Sequence, residues 1–513
     1  LPSGDRVGFR KRNAFNSADA MRWVVLMLMV MPLSLFGQFT DRYWTFGDSA
    51  AIDFRNLSNP VPGESVLRSR GTCASICDSA GNLLFYAGDP YVPYWLTGST
   101  YKQGYVVNMQ HQMMENGDTI VGTLWYQEMV IVPNPANNQQ FYLFSSGITT
   151  TTNPGFYYSI IDLSYNGGLG KVIQKNVQLQ NFPVNDGLAA VRHGNGRDWW
   201  VVHKQYVPGG YSDEVYVYLI NPSGISSLPL QHIGRLSQTN TLRLKFCDSG
   251  SKLVSTDSNH FIELFDFDRC SGLLSNPRFV HQRQVSTLNG LFWSCEFSPD
   301  ETKLYLTTIP YGNNDSISCL IQFDLEAPDI QASMDTIQVF SEPFFCGFLK
   351  LGPDSQIYLS HFTDMNDCDF FYLYCDTTYY PEIMNLSVIH QPNELGALCD
   401  FRPYSFYLGG HRSYHGLPNN PNYELGPLAG SVCDTLITSV SQVPVFEPAQ
   451  LKLFFHTGWR QLFVNGQQLK GKQGSLSLYS VTGQLLRREE ISIQPPYYTR
   501  QWDLTGTAAG LYI

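Results

Sequence analysis

The sequence contains few charged residues. Asp, Glu, Lys and Arg together make up 15% of its 513 residues, where a soluble protein usually has about a quarter. The formal net charge is −11, and no stretch of the chain concentrates Lys and Arg. Nucleic-acid phosphates are bound by clustered basic side chains, so this composition argues against a nucleic-acid partner.

Familiar catalytic motifs are missing as well. The sequence has no GxSxG, no HExxH, no phosphate-binding loop and no GxGxxG that opens a helix. It also lacks the CxxC pairs and Cys/His clusters that hold zinc. We therefore assign no catalytic residue, no metal ligand and no cofactor, and we expect a non-catalytic protein.

Long hydrophobic runs are confined to the N-terminal region. Residues 23–36 are apolar and follow a basic residue, Arg22. A run of this length suits a signal peptide and is too short for a membrane span, although a buried core helix is an alternative. We predict a signal peptide over 21–37 with cleavage after Gly37, and we interpret 1–20 as an upstream segment. No other run is long enough to cross a bilayer.

The chain has eleven cysteines. Export would bring them into an oxidising compartment, where disulfides form. An odd number leaves at least one cysteine unpaired within the chain. Cys368 and Cys375 could flank a hairpin and pair, whereas Cys73 and Cys77 lie too far apart to pair along a straight strand.

Aromatic residues and turn formers are abundant, with 32 Phe, 30 Tyr, 9 Trp, 43 Gly and 29 Pro. A turn rich in Gly, Asn, Asp or Pro leads into a short aromatic or β-branched strand six times. The positions that align are 51 to 58 residues apart: Phe85, Phe141, Trp199, Leu253, Leu304 and Ile357. Short strands recurring at such a period indicate the blades of a propeller.

A seventh unit, RPYSFYLGG at 402–410, lacks its full set of strands. The strand-like segment Tyr43–Phe54 precedes the first repeat, and we predict that it lies in the same blade as Ser405–Leu408. This pairing would close the ring and remove an exposed sheet edge. The prediction is an all-β fold with a seven-bladed β-propeller over 38–435; six or eight blades, or an array of β-sandwiches, are the alternatives.

The C-terminal region has a different pattern. A polar connector over 436–450 leads into strand-like segments over 451–513. Thr482–Gly483 supplies a tight turn between two alternating strands. We predict a separate small β-domain joined to the propeller by a linker.

Some polar residues are candidates for a site without forming a motif. His411 and His415 could share a metal, but their Gly-rich and Pro-rich flanks favour loop-packed or exposed imidazoles. Asp364, Asp367 and Asp369 resemble part of a calcium loop that lacks its glycine and final glutamate, so a solvated turn is the competing interpretation.

Other candidates lie on the predicted strands. Three glutamates flank buried strands, and any two of them could form a carboxylate pair in the central channel: Glu128, Glu263 and Glu296. Asp266 and Asp268 are expected to cap a blade turn. Trp199 and Trp200 face opposite sides of one strand, so one is predicted to be core and the other could stack on a sugar.

The motifs occur in a familiar order. The run WTFGDSAAIDF, CDSAGNLLFYAG, MVIVPNPANNQQFYLFS, CEFSPDETKLYLTT and LGPDSQIYLS resembles propeller regions of secreted Bacteroidetes proteins. These are described as WD-like or gliding-motility-associated, and the resemblance covers roughly 41–410. The tail, with YSVTGQLL and DLTGTAAGLYI, resembles the type A C-terminal sorting domain of the type IX secretion system.

The resemblance implies an immunoglobulin-like sandwich over 451–513, recognised by the type IX secretion translocon. It implies an extracellular or outer-membrane surface location reached through the periplasm, with no stable membrane span. Such a domain usually continues with one more strand, so we interpret 451–513 as truncated.

Two hypotheses of function follow. The first is a non-catalytic propeller that binds glycan or protein, or forms part of a surface assembly. The alternative is an extracellular polysaccharide hydrolase or lyase with its site at the channel mouth.

Overall fold

The computed structural model divides the chain into two compact units, Leu1–Asp434 and Thr435–Ile513, which we describe separately. It describes the following residues: 40–89, 103–122, 125–147, 154–282, 290–310, 317–363, 380–434, 450–456, 460–467, 473–480, 484–492 and 497–505. Within these ranges no helix is long and apolar enough to cross a membrane.

The described part of the first unit forms seven antiparallel sheets, each built from strands that are consecutive in the chain. Blade 1 contains β1 (Tyr43–Phe46), β2 (Asp48–Asp53) and β3 (Val61–Arg68). Blade 2 contains β4 (Cys73–Cys77), β5 (Leu83–Gly88) and β6 (Tyr105–Asn108). Blade 3 contains β7 (Met129–Pro133), β8 (Gln140–Gly147), β9 (Gly155–Asp162) and β10 (Lys171–Gln180).

The remaining four blades have four or five strands each. Blade 4 contains β11 (Val184–Arg192), β12 (Trp199–Gln205), β13 (Ser212–Asn221), β14 (Gly224–Ser227) and β15 (Gln231–Ser237). Blade 5 contains β16 (Leu242–Phe246), β17 (Lys252–Asp257), β18 (Phe261–Asp268) and β19 (Leu273–Gln282). Blade 6 contains β20 (Leu291–Phe297), β21 (Lys303–Ile309), β22 (Ile317–Asp324) and β23 (Asp335–Ser341). Blade 7 contains β24 (Phe344–Leu351), β25 (Ile357–Thr363), β26 (Asn385–Ile389) and β27 (Phe401–Tyr407).

Short 3-10 turns connect some strands, at Asn166–Gly168, Gln331–Ser333, Pro381–Met384 and Gly396–Cys399. The turns between the first two strands of a blade are shaped by side-chain caps. Asp78 accepts hydrogen bonds from the N–H groups of Ala80 and Asn82, and Asp300 accepts one from Thr302. Asp and Asn fold the chain back on itself in this way, which explains why these residues precede each strand of the repeat.

The first strands of the blades form a ring. In chain order β1 contacts β4, β4 contacts β7, and the contacts continue through β11, β16, β20 and β24. The ring closes between the last blade and the first, where the Lys350 ammonium lies 4.9 Å from the centre of the Trp44 ring and Trp44 packs edge-on against Tyr358. The predicted seven-bladed propeller is therefore confirmed.

The prediction for ring closure is wrong. Tyr43–Phe54 does not share a blade with Ser405–Leu408, because β1 and β2 pair with each other and with β3 in a sheet of their own. The chain turns sharply at Gly47, whose φ of +57° suits glycine. The segment RPYSFYLGG supplies β27, the fourth strand of blade 7. The blade that the six aligned repeats do not account for is therefore the N-terminal one, blade 1.

The segment 411–434 follows blade 7 and runs along the inner strands of the ring; we call it the tail plug. Its His415 carbonyl accepts a hydrogen bond from Phe348 N–H of blade 7. Further along, Asn419 donates from its backbone N–H to the carbonyl of Cys73 in blade 2, and from its side chain to Met129 and Leu188 in blades 3 and 4. The tail plug therefore joins blades that are distant in the sequence.

A disulfide fixes the end of the tail plug. Cys433 is bonded to Cys270 in blade 5, across 163 residues of sequence. Seven further described cysteines are buried free thiols, among them Cys73 and Cys77, which share β4 without pairing. The predicted pair Cys368–Cys375 lies outside the described residues.

The second unit contains five described strands in two sheets. β28 (Gln450–His456), β29 (Gln461–Gln467) and β32 (Tyr497–Asp503) form one sheet, and β30 (Gln473–Tyr479) pairs with β31 (Leu485–Ser492). The β30–β31 pair is the hairpin predicted around Thr482–Gly483, although that turn is outside the described residues. Trp502 is buried there with Leu478 and Leu504. The immunoglobulin-like arrangement remains a prediction.

Candidate functional site

A cavity of about 440 Å³ opens at one end of the central channel. It lies where β11, β16, β20 and β24 end, and the tail plug forms the rest of its wall. The polar residues that line it come from blades 5, 6 and 7, the segment before blade 1 and the tail plug: Asp41, Lys245, Asp248, Glu296, Lys350, Ser355, Asn419, Asn420, Asn422 and Glu424. A cavity of this size lies in the range of small-molecule sites.

Lys245 and Glu296 form an ion pair in the wall, with 2.6 Å between the Lys245 Nζ and a Glu296 carboxylate oxygen. The Glu296 carboxylate also accepts hydrogen bonds from the backbone N–H groups of Leu351 and Phe297. The carboxylate is almost fully buried and is satisfied by these three donors. It therefore serves to hold Lys245 at the cavity.

Lys350 is buried between the tail plug and blade 1. Its ammonium donates to the carbonyl of Asn420 at 3.2 Å and lies 3.7 Å from the carboxylate of Asp41. Burial lowers the pKa of Lys350, while the charge of Asp41 acts in the opposite direction. This lysine binds the tail plug to the ring at the cavity wall.

Asp248 and Glu424 are the carboxyl groups of the cavity with raised pKa. Desolvation raises the pKa of Asp248, and the negative charge of Glu296 adds to the effect. Desolvation likewise raises the pKa of Glu424, although Arg42 lies 3.7 Å away. Asp248 also accepts a hydrogen bond from the Asn422 side chain. Both groups remain partly accessible and can accept hydrogen bonds from a bound molecule.

The three predicted glutamates are not brought together. Only Glu296 lines the cavity. Glu263 lies on the third strand of blade 5 and accepts a hydrogen bond from the backbone N–H of Arg235. Glu128 is fully buried, and its carboxylate accepts one from Trp125 N–H. A carboxylate pair built from these residues is therefore absent from the described channel.

His415 is buried in the tail plug and stacks on Phe362 with 3.7 Å between ring centres. Burial lowers its pKa well below the usual value. The described residues contain no group of three or more His, Cys, Asp or Glu that could hold a metal ion. The packed-loop interpretation therefore holds for His415, and the candidate calcium residues Asp364, Asp367 and Asp369 lie outside the described residues.

The two predicted turn caps behave differently. Asp268 accepts hydrogen bonds from Cys270 N–H and the Ser271 hydroxyl, as predicted. Asp266 instead binds side chains of the neighbouring strand, Asn276 and Arg278.

The sugar-stacking interpretation of Trp199 and Trp200 is wrong. Both side chains are about 98% buried, because both faces of a blade pack against its neighbours. Trp199 packs against Tyr423 of the tail plug, and Trp200 donates its indole N–H to the Arg269 carbonyl. These contacts make both residues core.

Sequence reasoning missed most of the cavity. Lys245 and Lys350 lie on the first strands of blades 5 and 7, before the repeated motif of each blade. Their carboxylate partners, Glu296 and Asp41, come from other parts of the chain. The signal that could have pointed to the tail plug is the stretch HGLPNNPNYELGPLAG at 415–430. It is rich in Gly, Pro and Asn and lacks strand alternation, which is unusual for a surface turn of this length.

Among known proteins, only solved structures with a similar fold match this chain. No protein-family profile matches the chain, and no curated protein matches it. A 6-phosphogluconolactonase-like protein of Bacteroides fragilis has a TM-score of 0.41 and 9% identity, covering 74% of this chain and 96% of its own. An auxiliary nutrient binding protein of Bacteroides thetaiotaomicron has a TM-score of 0.33 and 12% identity, covering 62% and 73%.

The Cps50 (Swd1) β-propeller domain of Myceliophteria thermophila has a TM-score of 0.34 and 10% identity, covering 63% of this chain and 96% of its own. Identities this low say nothing about the site or its chemistry. The class defined by the chain itself is a seven-bladed β-propeller with a polar cavity at one end of its channel and a tail plug beside it.

Proposed function

We propose that this chain is an exported, non-catalytic propeller that binds the polar end of a glycan in the cavity at the channel end. The observation that carries the proposal is the cavity itself, which is concave, polar and built from four blades and the tail plug. Both of its lysines are already paired, Lys245 with Glu296 and Lys350 with Asp41. Matched charges and exposed hydrogen-bonding groups suit the hydroxyl groups of a sugar better than a strongly charged ligand.

A glycan array with the purified protein tests this proposal. Wild type should bind a defined set of glycans, and Glu424→Gln should weaken that binding because Glu424 lines the cavity. The control Glu326→Gln changes an exposed glutamate of blade 6 and should leave binding unchanged. Binding to protein ligands and to no glycan would show that the ligand is a protein segment. Equal glycan binding by wild type, Glu424→Gln and Glu326→Gln would show that the glycan binds outside this cavity.

One observation favours the enzymatic alternative, a polysaccharide hydrolase or lyase at the channel mouth. Asp248 and Glu424 face the same cavity, and both have a raised pKa, as general acids do. Turnover of polysaccharide by wild type that Asp248→Asn abolishes would establish this alternative. Binding without turnover supports the non-catalytic function.

The export route is part of the proposal. A signal peptide over 21–37 would carry the chain across the inner membrane. Residues 451–513 would serve as a sorting domain for the type IX secretion translocon, which places the propeller outside the cell or on the outer-membrane surface. The strands β30 and β31 of the YSVTGQLL hairpin support this assignment. A reporter fused to this C-terminal domain should leave cells that have this system, and a periplasmic reporter would contradict the proposal.

A further inference from the structure

A second, smaller chamber lies beside the cavity, along the central channel. Its volume is about 30 Å³, enough for one or two particles of the size of water. Inner strands of blades 5, 6 and 7 form its wall together with the tail plug. Among the described residues, its lining contains three cationic side chains and no carboxylate; the cations are Arg243, Lys245 and Lys350.

Arg243 is the most buried of the three, with 2% of its surface exposed. One terminal nitrogen donates to Asp186 at 2.6 Å and to the Leu242 carbonyl at 3.0 Å. The Nε and the other terminal nitrogen have no hydrogen-bond partner. Buried guanidinium N–H groups without an acceptor are costly, so these two groups point to an acceptor that the protein does not supply.

Aromatic rings surround this guanidinium. Its central carbon lies 4.9 to 5.2 Å from the ring centres of Tyr126, Trp293 and Phe348. Cation–π contacts hold the group in place, but ring faces are poor substitutes for an oxygen or halide acceptor. The rings therefore fix the guanidinium without satisfying its free N–H groups.

The amides of Gln127 and Asn419 also line the chamber, but their N–H groups already donate to oxygens of the protein. The carboxylates that pair with Lys245 and Lys350, Glu296 and Asp41, are not part of the chamber lining. The Ser294 hydroxyl accepts a hydrogen bond from Leu349 N–H, so its own proton can point elsewhere. The chamber thus presents N–H and O–H donors, and no carboxylate, to whatever occupies it.

We propose that the chamber binds a monovalent, monatomic anion of the size of chloride. Arg243 supplies two N–H donors and Ser294 supplies a hydroxyl donor. A carboxylate ligand is too large for a chamber of this volume. The anion sits between the inner strands and the tail plug, so it links the two. This site adjoins the glycan cavity proposed above and shares Lys245 and Lys350 with its wall.

A bromide soak tests the proposal on the wild-type protein. Bromide can replace chloride at a binding site, and its anomalous scattering locates it in the crystal. Crystals of the full chain soaked in sodium bromide should give an anomalous peak in the chamber, beside Arg243 and Ser294. Ordered water at this position with no anomalous signal would overturn the proposal. This result is independent of glycan binding, so the two proposals can fail separately.

A stability measurement tests the same site in solution. At equal ionic strength, Tm should be higher in sodium chloride than in sodium gluconate by about 2 °C, and sodium acetate should behave like gluconate. Arg243→Gln should abolish the difference, whereas the control Arg235→Gln, which changes a half-exposed arginine of blade 4, should retain it. Equal Tm values for wild type in chloride and gluconate would contradict the proposal.

Discussion

The buried carboxylate of Glu296 accepts from three donors: the Lys245 ammonium and the backbone N–H groups of Phe297 and Leu351. Removing the carboxylate leaves all three without an acceptor. Single side chains of this kind give the cavity its shape, because each one joins two blades through backbone and side-chain bonds.

We therefore expect Glu296→Ala to lower the free energy of unfolding by about 2–3 kcal/mol, since buried donors without acceptors and a broken ion pair are both costly. Urea denaturation monitored by tryptophan fluorescence measures the change. Glu326→Ala, at an exposed position of blade 6, should change it by less than about 0.5 kcal/mol. Equal stability of the two variants would contradict the role of Glu296.

His203 gives the fold a dependence on pH. It is buried against the ring of Tyr216, and burial lowers its pKa from 6.5 to about 4. Because the unfolded chain binds the proton more readily, the contribution of neutral His203 is complete above pH 6.5. This contribution to the free energy of unfolding, about 3 kcal/mol, is lost as the pH falls from 6.5 to about 4.

His203→Phe removes this titration and keeps the aromatic packing. The free energy of unfolding should therefore fall less steeply between pH 6.5 and 4 in the variant than in wild type. Urea denaturation across this range measures both slopes, and His232→Phe, at an exposed histidine, is the control. Identical slopes in wild type and His203→Phe would show that His203 does not remain neutral in the folded chain.

At the scale of elements, the repeat could be read from the sequence because each blade uses local chemistry. The six aligned positions from Phe85 to Ile357 all fall on the second strand of a blade, after the turn that Asp or Asn caps. Strand alternation and turn residues act over a few residues, so they are visible without the fold. The hairpin of β30 and β31 could be predicted for the same reason.

The tail plug could not be predicted in this way. Its partners Cys73, Met129 and Leu188 lie hundreds of residues away and bond through backbone carbonyls, which leave no mark on the sequence. The blade 1 sheet was missed because its three strands lie within Tyr43–Arg68, a span shorter than the period of the repeat. The cavity residues share this problem, since Lys245 pairs with Glu296 only after blades 5 and 6 are placed side by side.

The disulfide should stabilise the tail plug strongly. Cys270 and Cys433 close a loop of 163 residues, and cross-links over such loops typically contribute about 2–4 kcal/mol. We expect Cys433→Ser to lower the free energy of unfolding by this amount without changing the secondary structure. Denaturation of wild type with and without reductant provides the comparison, and no difference between the oxidised wild type and the variant would contradict the role of the bond.

At the scale of the whole molecule, the ring is held by the tail plug as well as by contacts between neighbouring blades. Asn419 is central, because one side chain bonds to carbonyls of blades 3 and 4 while its backbone bonds to blade 2. This arrangement couples the stability of the ring to the wall of the cavity.

Asn419→Ala should lower the free energy of unfolding by about 1–2 kcal/mol, because two carbonyls lose their donor. Asn59→Ala, at an exposed turn of blade 1, is the control and should be neutral. Thermal unfolding of both variants measures the effect. Equal Tm values for Asn419→Ala and Asn59→Ala would contradict the central role of Asn419.

Occlusion of the cavity tests the proposed binding function most directly. Gly426 lines the cavity, and a side chain added there meets no atom within 4 Å, so Gly426→Trp has room at the cavity wall and should obstruct the cavity without disturbing the fold. Ala429→Trp adds the same side chain at an exposed position outside the cavity lining. In calorimetric titration with a glycan identified on the array, we predict that Gly426→Trp weakens binding at least about tenfold, or about 1.4 kcal/mol, while Ala429→Trp binds like wild type. Wild-type affinity in folded Gly426→Trp would contradict the account.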